Sequence, residues 1–485
     1  MFIDLFLSGG ILLNNSVAIQ GNLTGYKTSQ LDMVKTISPS LLQANKNPLE
    51  LPTNSEEVKI TNNYPITLQQ AVELGQKNNN QLQVALLTVE RSRYVLRQRE
   101  AEAGLYPTVS LNAGVTYQKL AEGQLQQEQL RQQLSDARER DSNLSSNSEA
   151  ATSTFNGRVQ IIQNLKPETS QRKIAEEEII VNELEVERLS EEIRLNIATD
   201  YYNLQQADEE ARIALSSVEN SQASLRDAVA LERAGVGTRF DVLRSQVNLA
   251  NAQQRLTQSI ARQQTTRRQL AARLNLSQTT NISAADPVQI AELWQKSLEE
   301  SILLAFQNRP ELQQELARRK IAIEQTSTPD ATYNSFINYN LLDRFNDQVA
   351  ITDGYAAGLS INKTLFNGGV TRARVAQAKA DIAIAETRFA DQIDQVRLQV
   401  EQAFFNKQAN LKNIQTADTA LEQAKESLRL ARLRFQAGVG TQTDVINAEN
   451  ELTQAEGNRL TAILDYNRAL VSLKRAVAGN RVKST

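Results

Sequence analysis

The sequence predicts a mainly α-helical fold with β-strand pairs, laid down twice as a tandem duplication. Three observations carry this expectation. The turn Ala-Gly-Val-Gly-Thr occurs at 234–238 and again at 437–441, a stretch of close to 68 residues free of proline and glycine precedes each turn, and each copy holds two segments of alternating apolar residues. Repeats of this size call for reading the chain as elongated units, not as the roughly three globules that 485 residues would otherwise suggest.

The register of the duplication is long. Gly235 recurs as Gly438, an offset of 438 − 235 = 203, and the same offset places Tyr201-Tyr202-Asn203 on Phe404-Phe405-Asn406 and Asp241-Val242 on Asp444-Val445. Further upstream the offset is 297 − 67 = 230, pairing Thr67-Leu68 with Ser297-Leu298. The first copy therefore carries an extra segment of 230 − 203 = 27 residues, located in the Gln/Ser-rich run from Gln118 to Thr154.

Each copy reads as helix, two strands, helix, helix. The first helix, about Leu68 to Ala103, spaces Leu82, Val89, Leu96 and Ala103 seven apart, the period of a packing seam. From Thr108 the period becomes two: Val109, Leu111, Ala113, Val115 and Tyr117 alternate with Thr108, Ser110, Asn112, Gly114 and Thr116. Phe155 to Leu165 repeats the pattern less cleanly, and in copy two Tyr333, Ile337 and Tyr339, then Tyr355, Ala357, Leu359 and Ile361, do the same. Four strands per chain are too few to close a transmembrane barrel, for which eight is the smallest known number. Three chains would bring twelve.

The long helices between Pro167 and Ala234 and between Val370 and Ala437 would each reach about 100 Å at 1.5 Å per residue. Val375, Ile382, Phe389, Val396 and Ala403 form one seven-residue seam. The return helix carries two, Val445-Leu452-Tyr466-Leu473 and Ala448-Ala455-Ala462-Ala469, as expected for a helix with neighbours on both sides. At the turns, Gly235 and Gly438 suit the left-handed residue that ends a helix, and Thr238 and Thr441 suit the cap of the next, with Asp241 and Asp444 three residues on.

Composition removes several function classes. Histidine and cysteine are absent, which takes away imidazole and thiolate chemistry and most transition-metal sites, so an enzyme is disfavoured and neither cofactor nor metal is expected. Fifty-three basic residues against 56 acidic ones, a net charge of −3, give nucleic acid no electrostatic footing. No apolar run approaches the roughly 18 to 20 residues of a membrane-spanning helix, so any crossing of a bilayer is by strands. Residues 1–18 read either as a degenerate signal peptide with Ser16-Val17-Ala18 at its cleavage site or as an apolar tail, and 19–65 as an extended leader. The repeats then occupy 66–275 and 298–478, joined by 276–297 and followed by a tail, 479–485.

Over nearly all of 66–478 the chain resembles the outer membrane efflux protein family, the TolC-like exit ducts. The resemblance rests on Leu365-Phe366-Asn367-Gly368-Gly369 leading into a long helix with Arg372, Ala376 and Ala378. It rests also on Arg434-Phe435-Gln436-Ala437-Gly438-Val439-Gly440-Thr441 followed by Asp444-Val445. Copy one departs at the first of these steps, reading Asn164-Leu165-Lys166-Pro167-Glu168.

The resemblance implies a homotrimer in the cell outer membrane. Its parts would be a twelve-stranded β-barrel in outer-membrane lipid and an α-helical barrel across the periplasm, with residues 276–297, including Pro287 and Trp294, as an equatorial belt. It implies a passive conduit of a tripartite efflux or type I secretion system, opened by a periplasmic adaptor (membrane fusion) protein and an inner-membrane pump of the RND or ABC type. Gly235, Val236, Gly237, Thr238, Gly438, Val439, Gly440 and Thr441 would then be the tip that meets the adaptor. Asp444, Asn447 and Asp241 would form the pore gate, Asn447 standing where the family's best-known duct has a second aspartate. The competing expectation from another class is a soluble coiled-coil scaffold.

Overall fold

The computed structural model describes residues 53–55, 59, 62–119, 126, 130, 151–166, 169–277, 279–327, 331–344 and 352–477. The signal-peptide reading of 1–18, the tail 479–485 and nearly all of 120–150 lie outside these. The first repeat runs β1 (Asn62–Ile66), α1 (Leu68–Asn78), α2 (Asn80–Glu100), a π turn (Ala101–Leu105), β2 (Thr108–Lys119), β3 (Ala151–Asn164), α3 (Ser170–Arg233), α4 (Arg239–Arg273). The second runs β4 (Thr280–Ala284), α5 (Leu298–Asn308), α6 (Pro310–Gln325), β5 (Thr332–Arg344), β6 (Thr352–Asn362), α7 (Val370–Gln436), α8 (Gln442–Ala476).

Two details differ from the sequence reading. The single helix expected from Leu68 to Ala103 is two, because Asn79 leaves the helical region and caps the next helix by accepting from the Leu82 N–H at 3.0 Å. The second repeat breaks at the same place, where Arg309 precedes Pro310 at the first helical position. Strands β1 and β4, placed by the sequence in a leader and a connection, pair in parallel from Asn62↔Thr280 to Ile66↔Ala284. Five residues are too few to display a period of two, and Pro65 reads against a strand.

Between β4 and α5 the chain is tied down by side chains from both long hairpins. Tyr201, fully buried on α3, donates to Asp286 at 2.8 Å and to the Ile66 carbonyl at 3.0 Å, while Asp286 also accepts from the Leu68 N–H at 2.7 Å. From α8, Tyr466 donates to the Glu292 carbonyl at 2.6 Å, and Asn467 holds Gln289 and Ala291. Below these ties lies the largest apolar cluster, Ile193, Ile197, Leu204, Leu270, Leu274 and Ile282 among its members. Trp294 packs, half-buried, against two further clusters, and its indole N–H donates to Ser301.

The four longer strands form one antiparallel sheet in the order β2-β3-β5-β6. Register sets whole rows across it: Leu111, Val159, Tyr339 and Tyr355 share one row, and Val109, Ile161, Ile337 and Ala357 a second row on the same face. Ser110, Gln160, Asn338 and Ala356, then Asn112, Arg158, Asn340 and Gly354, make the opposite, polar face. From these strands α3 and α7 run 64 and 67 residues, each about 100 Å long.

The copies have diverged inside the seams. Leu204 is fully buried on α3, whereas its counterpart 203 residues on is Lys407, also buried. Its ammonium lies 4.4 Å from the centre of the Phe404 ring, and burial lowers its pKa from the ordinary 10.5. Restoring the first copy's choice with Lys407→Leu is expected to stabilise the fold by about 1–2 kcal/mol, the order of cost of burying a poorly compensated polar group. The check is a higher melting temperature in detergent.

Candidate functional site at the hairpin tips

Each hairpin turns through the same chemistry. After α3, Gly235 takes φ +75°, and Gly438 takes the same value after α7, a left-handed conformation that favours glycine. The second glycine serves a different need. A Cβ on Gly237 would sit 2.9 Å from the Glu232 nitrogen, and one on Gly440 3.0 Å from the Phe435 nitrogen, so the chain folds back onto its own helix end too tightly for a side chain. Val236 and Val439, between the glycines, are 75% and 70% exposed.

The next helices begin with matched capping boxes. The Asp241 N–H donates to the Thr238 hydroxyl at 3.2 Å and the Thr238 N–H donates to the Asp241 carboxylate at 3.1 Å. The Thr441–Asp444 pair repeats this at 3.2 and 3.0 Å. Donation from the Thr441 N–H and then its hydroxyl holds the Asp444 carboxyl below its ordinary 3.8, with Arg434 adding a smaller pull. Asp444 is thus exposed, ionised and capping at once, and Asn447 is exposed one turn further on. Arg244, the counterpart of Asn447, donates to the Thr443 hydroxyl of the second hairpin at 2.5 Å.

The structure also brings together residues not singled out from the sequence. Gln442, 1% exposed, donates to Ser224 and Ser245 at 2.8 and 2.9 Å, so α8 is tied to both helices of the first hairpin. Two turns along, Glu449 accepts from Arg432 at 3.1 Å and from Asn248 at 3.4 Å, and Arg432 also donates to Asn220 at 3.0 Å. These contacts form a polar seam between the hairpins, and the carbonyl oxygen of Gln442 is buried in it without a partner among the described residues. The signal in the sequence was disagreement between copies: Ser245 stands against Ala448, Gln442 against Arg239 and Glu449 against Gln246.

Helix, strand pair and glycine-closed hairpin are found twice in the same order, and residues 302–479 match the family model described as outer membrane efflux protein. The second repeat thus matches the outer membrane efflux protein family over 302–479. The chain is 25% identical to the outer membrane efflux protein BepC of Brucella suis biovar 1 over 185 residues, 38% of this chain and 39% of that protein. It is 25% identical to protein CyaE of Bordetella pertussis over 303 residues, 59% of this chain and 61% of that protein. The chain thus spans about two fifths and three fifths of the lengths of these curated relatives. The structure of the outer-membrane channel OprN superposes with a TM-score of 0.69 at 20% identity, covering 85% of this chain and 90% of that one, so the two share a fold.

Burial raises the Glu449 pKa above its ordinary 4.5, and the Arg432 pair only partly opposes this. A carboxyl with a raised folded-state pKa binds more protons folded than unfolded at pH values above 4.5, so it costs stability as pH rises through the folded value and the cost is relieved on acidification. Hydrogen exchange at the ends of α3 and α8 is therefore expected to slow as pH is lowered from neutrality toward 4.5, after correction for intrinsic rates. In Glu449→Gln that slope should flatten; an unchanged slope would assign it to another group.

Proposed function

We propose that three copies of this chain close into an outer-membrane exit duct: a twelve-stranded barrel in the lipid, continued by a helical tunnel across the periplasm. The observation that carries this reading is the sheet. One face is apolar and open to its surroundings, with Leu111 72%, Tyr355 84% and Leu359 74% exposed, and β2 and β6 are its outer strands. A sheet with a mainly apolar, largely exposed face and open edges is unfit for water, but strands of 11 to 14 residues suit a bilayer, which takes about 9–11 per crossing. A soluble coiled-coil scaffold would account for the helices and leave this face without a purpose.

In this reading the Gly235–Thr238 and Gly438–Thr441 turns form the periplasmic tip that docks on an adaptor protein, with Val236 and Val439 as its apolar contacts. Transport is passive, and selectivity belongs to the inner-membrane pump, of the RND or ABC type. Asp444, with Asp241 and Asn447 nearby, supplies the narrowest ring. Three ionised carboxylates around one axis attract cations and repel one another. With asparagine at 447, the electrostatic hold of the gate is weaker than a second aspartate at that position would make it.

The protein is expected in the outer-membrane fraction of cells; recovery in the cytosol would contradict the duct. In planar bilayers, Asp444→Ala should raise the leak conductance and reduce block by divalent cations. Unchanged block would remove Asp444 from the gate while leaving the duct itself standing.

A further inference from the structure

The two faces of the sheet differ in charge as well as in polarity. Charged residue types occur within its strands at Lys119, Arg158, Asp343, Arg344 and Asp353. Register sorts them by parity, because even-numbered positions of all four strands share the polar face and odd-numbered positions the apolar one. Arg158 and Arg344 fall in rows of the polar face. Lys119, Asp343 and Asp353 fall in rows of the apolar face, at or near the strand ends away from the helices. In these strands, then, no carboxylate shares a row or a face with Arg158.

Arg158 stands on an inner strand, in the row Asn112, Arg158, Asn340, Gly354. That row lies four residues from Thr108, about 13 Å along the strand from the helical end of the sheet. The side chain is exposed, and its Nε donates to the Asn340 Oδ1 at 2.7 Å, which orients the guanidinium and leaves the two terminal nitrogens as donors. Around it on the same face stand the neutral amides Asn112, Gln160 and Asn338. Room remains beyond Asn340, since a Cβ added to Gly354 would meet nothing within 4 Å.

We propose that Arg158 is a binding site for polyanions in the lumen: one guanidinium from each of three chains forms a cationic ring that holds phosphate- or sulfate-bearing solutes in the duct. The proposal rests on the reading that three chains close a barrel with the polar face inward, and it adds the sign of the wall and the class of solute. Twelve strands spaced about 4.8 Å apart and tilted about 40° close on a backbone circle about 24 Å across. Arginines reaching about 6 Å inward from it leave the guanidiniums about 10 Å apart, the Debye length at 0.1 M salt, so the three charges act on one anion together. The planar fork of guanidinium donors matches the oxygens of a phosphate or sulfate group. At the far end of the helices the ionised Asp444 has the opposite sign. The fixed charge along the duct therefore changes sign, attracting polyanions at the barrel and repelling them at the tip.

The test is side-resolved block in planar bilayers. Protein is added to one chamber, where its long helical body stays, so the barrel opens to the other chamber, and inorganic tripolyphosphate is titrated there in about 0.1 M KCl. Saturable block is expected, with a half-blocking concentration that rises about tenfold or more in Arg158→Gln, and likewise in the wild type when KCl is raised to about 1 M. The chain has no native cysteine, so Arg158→Cys can be modified in channels already formed, which separates charge from folding. Aminoethyl methanethiosulfonate should restore the block to Arg158→Cys, and the sulfonatoethyl reagent should not. Equal block of wild type and Arg158→Gln, no block of the wild type, or restoration by both reagents would overturn the ring while leaving the duct standing. A wild-type protein that forms no conducting channel would sink the duct reading, and the ring with it.

Discussion

An antiparallel sheet of four strands with both edges unpaired is the constraint on which the rest of this structure depends. Backbone N–H and C=O groups along β2 and β6 need partners, and in hydrocarbon each one left without costs several kcal/mol. The apolar rows Leu111-Val159-Tyr339-Tyr355 and Val109-Ile161-Ile337-Ala357 make water equally unsuitable. In the proposed duct, closure with further copies would satisfy the edges and lipid the face.

Duplication supplies most of this geometry at low informational cost. Two copies of one unit produce two strand pairs that join through β3 and β5, two long helices, and two tips with identical turns. Where the copies depart from each other, they do so at contacts that duplication makes unequal. Leu204 and Lys407, Ser245 and Ala448, and Arg244 and Asn447 occupy corresponding positions and meet different neighbours. At the tips the common part is backbone chemistry, glycine for the left-handed residue and threonine with aspartate for the cap. The divergent part is the polar seam of Gln442, Glu449 and Arg432, which binds the hairpins to each other with one buried carbonyl left unsatisfied.

Much of the fold was legible because periodicity survives in elongated elements. Seven-residue seams identified the long helices, whose observed lengths of 64 and 67 residues sit close to the 68 between their boundary residues. Alternation over about ten residues identified all four sheet strands. The π turn after α2, the breaks at Asn79 and Arg309, and strands β1 and β4 were not legible, because each depends on one or a few residues. The capping function of Thr238 and Thr441 could be read from spacing alone. The Gln442 and Glu449 seam could not, since polar residues at core positions declare themselves only when the helix facing them is known. Nor did spacing distinguish the two glycines of each turn, one needed for its φ and one for the close approach of backbone.

The central claim is that the chain is one third of a closed tube. Native mass spectrometry of the protein extracted from outer membranes in mild detergent tests it most directly. Three chains per particle, with no monomer at concentrations where the sheet remains folded, is the predicted result. A folded monomer, its sheet intact without a partner, would contradict it.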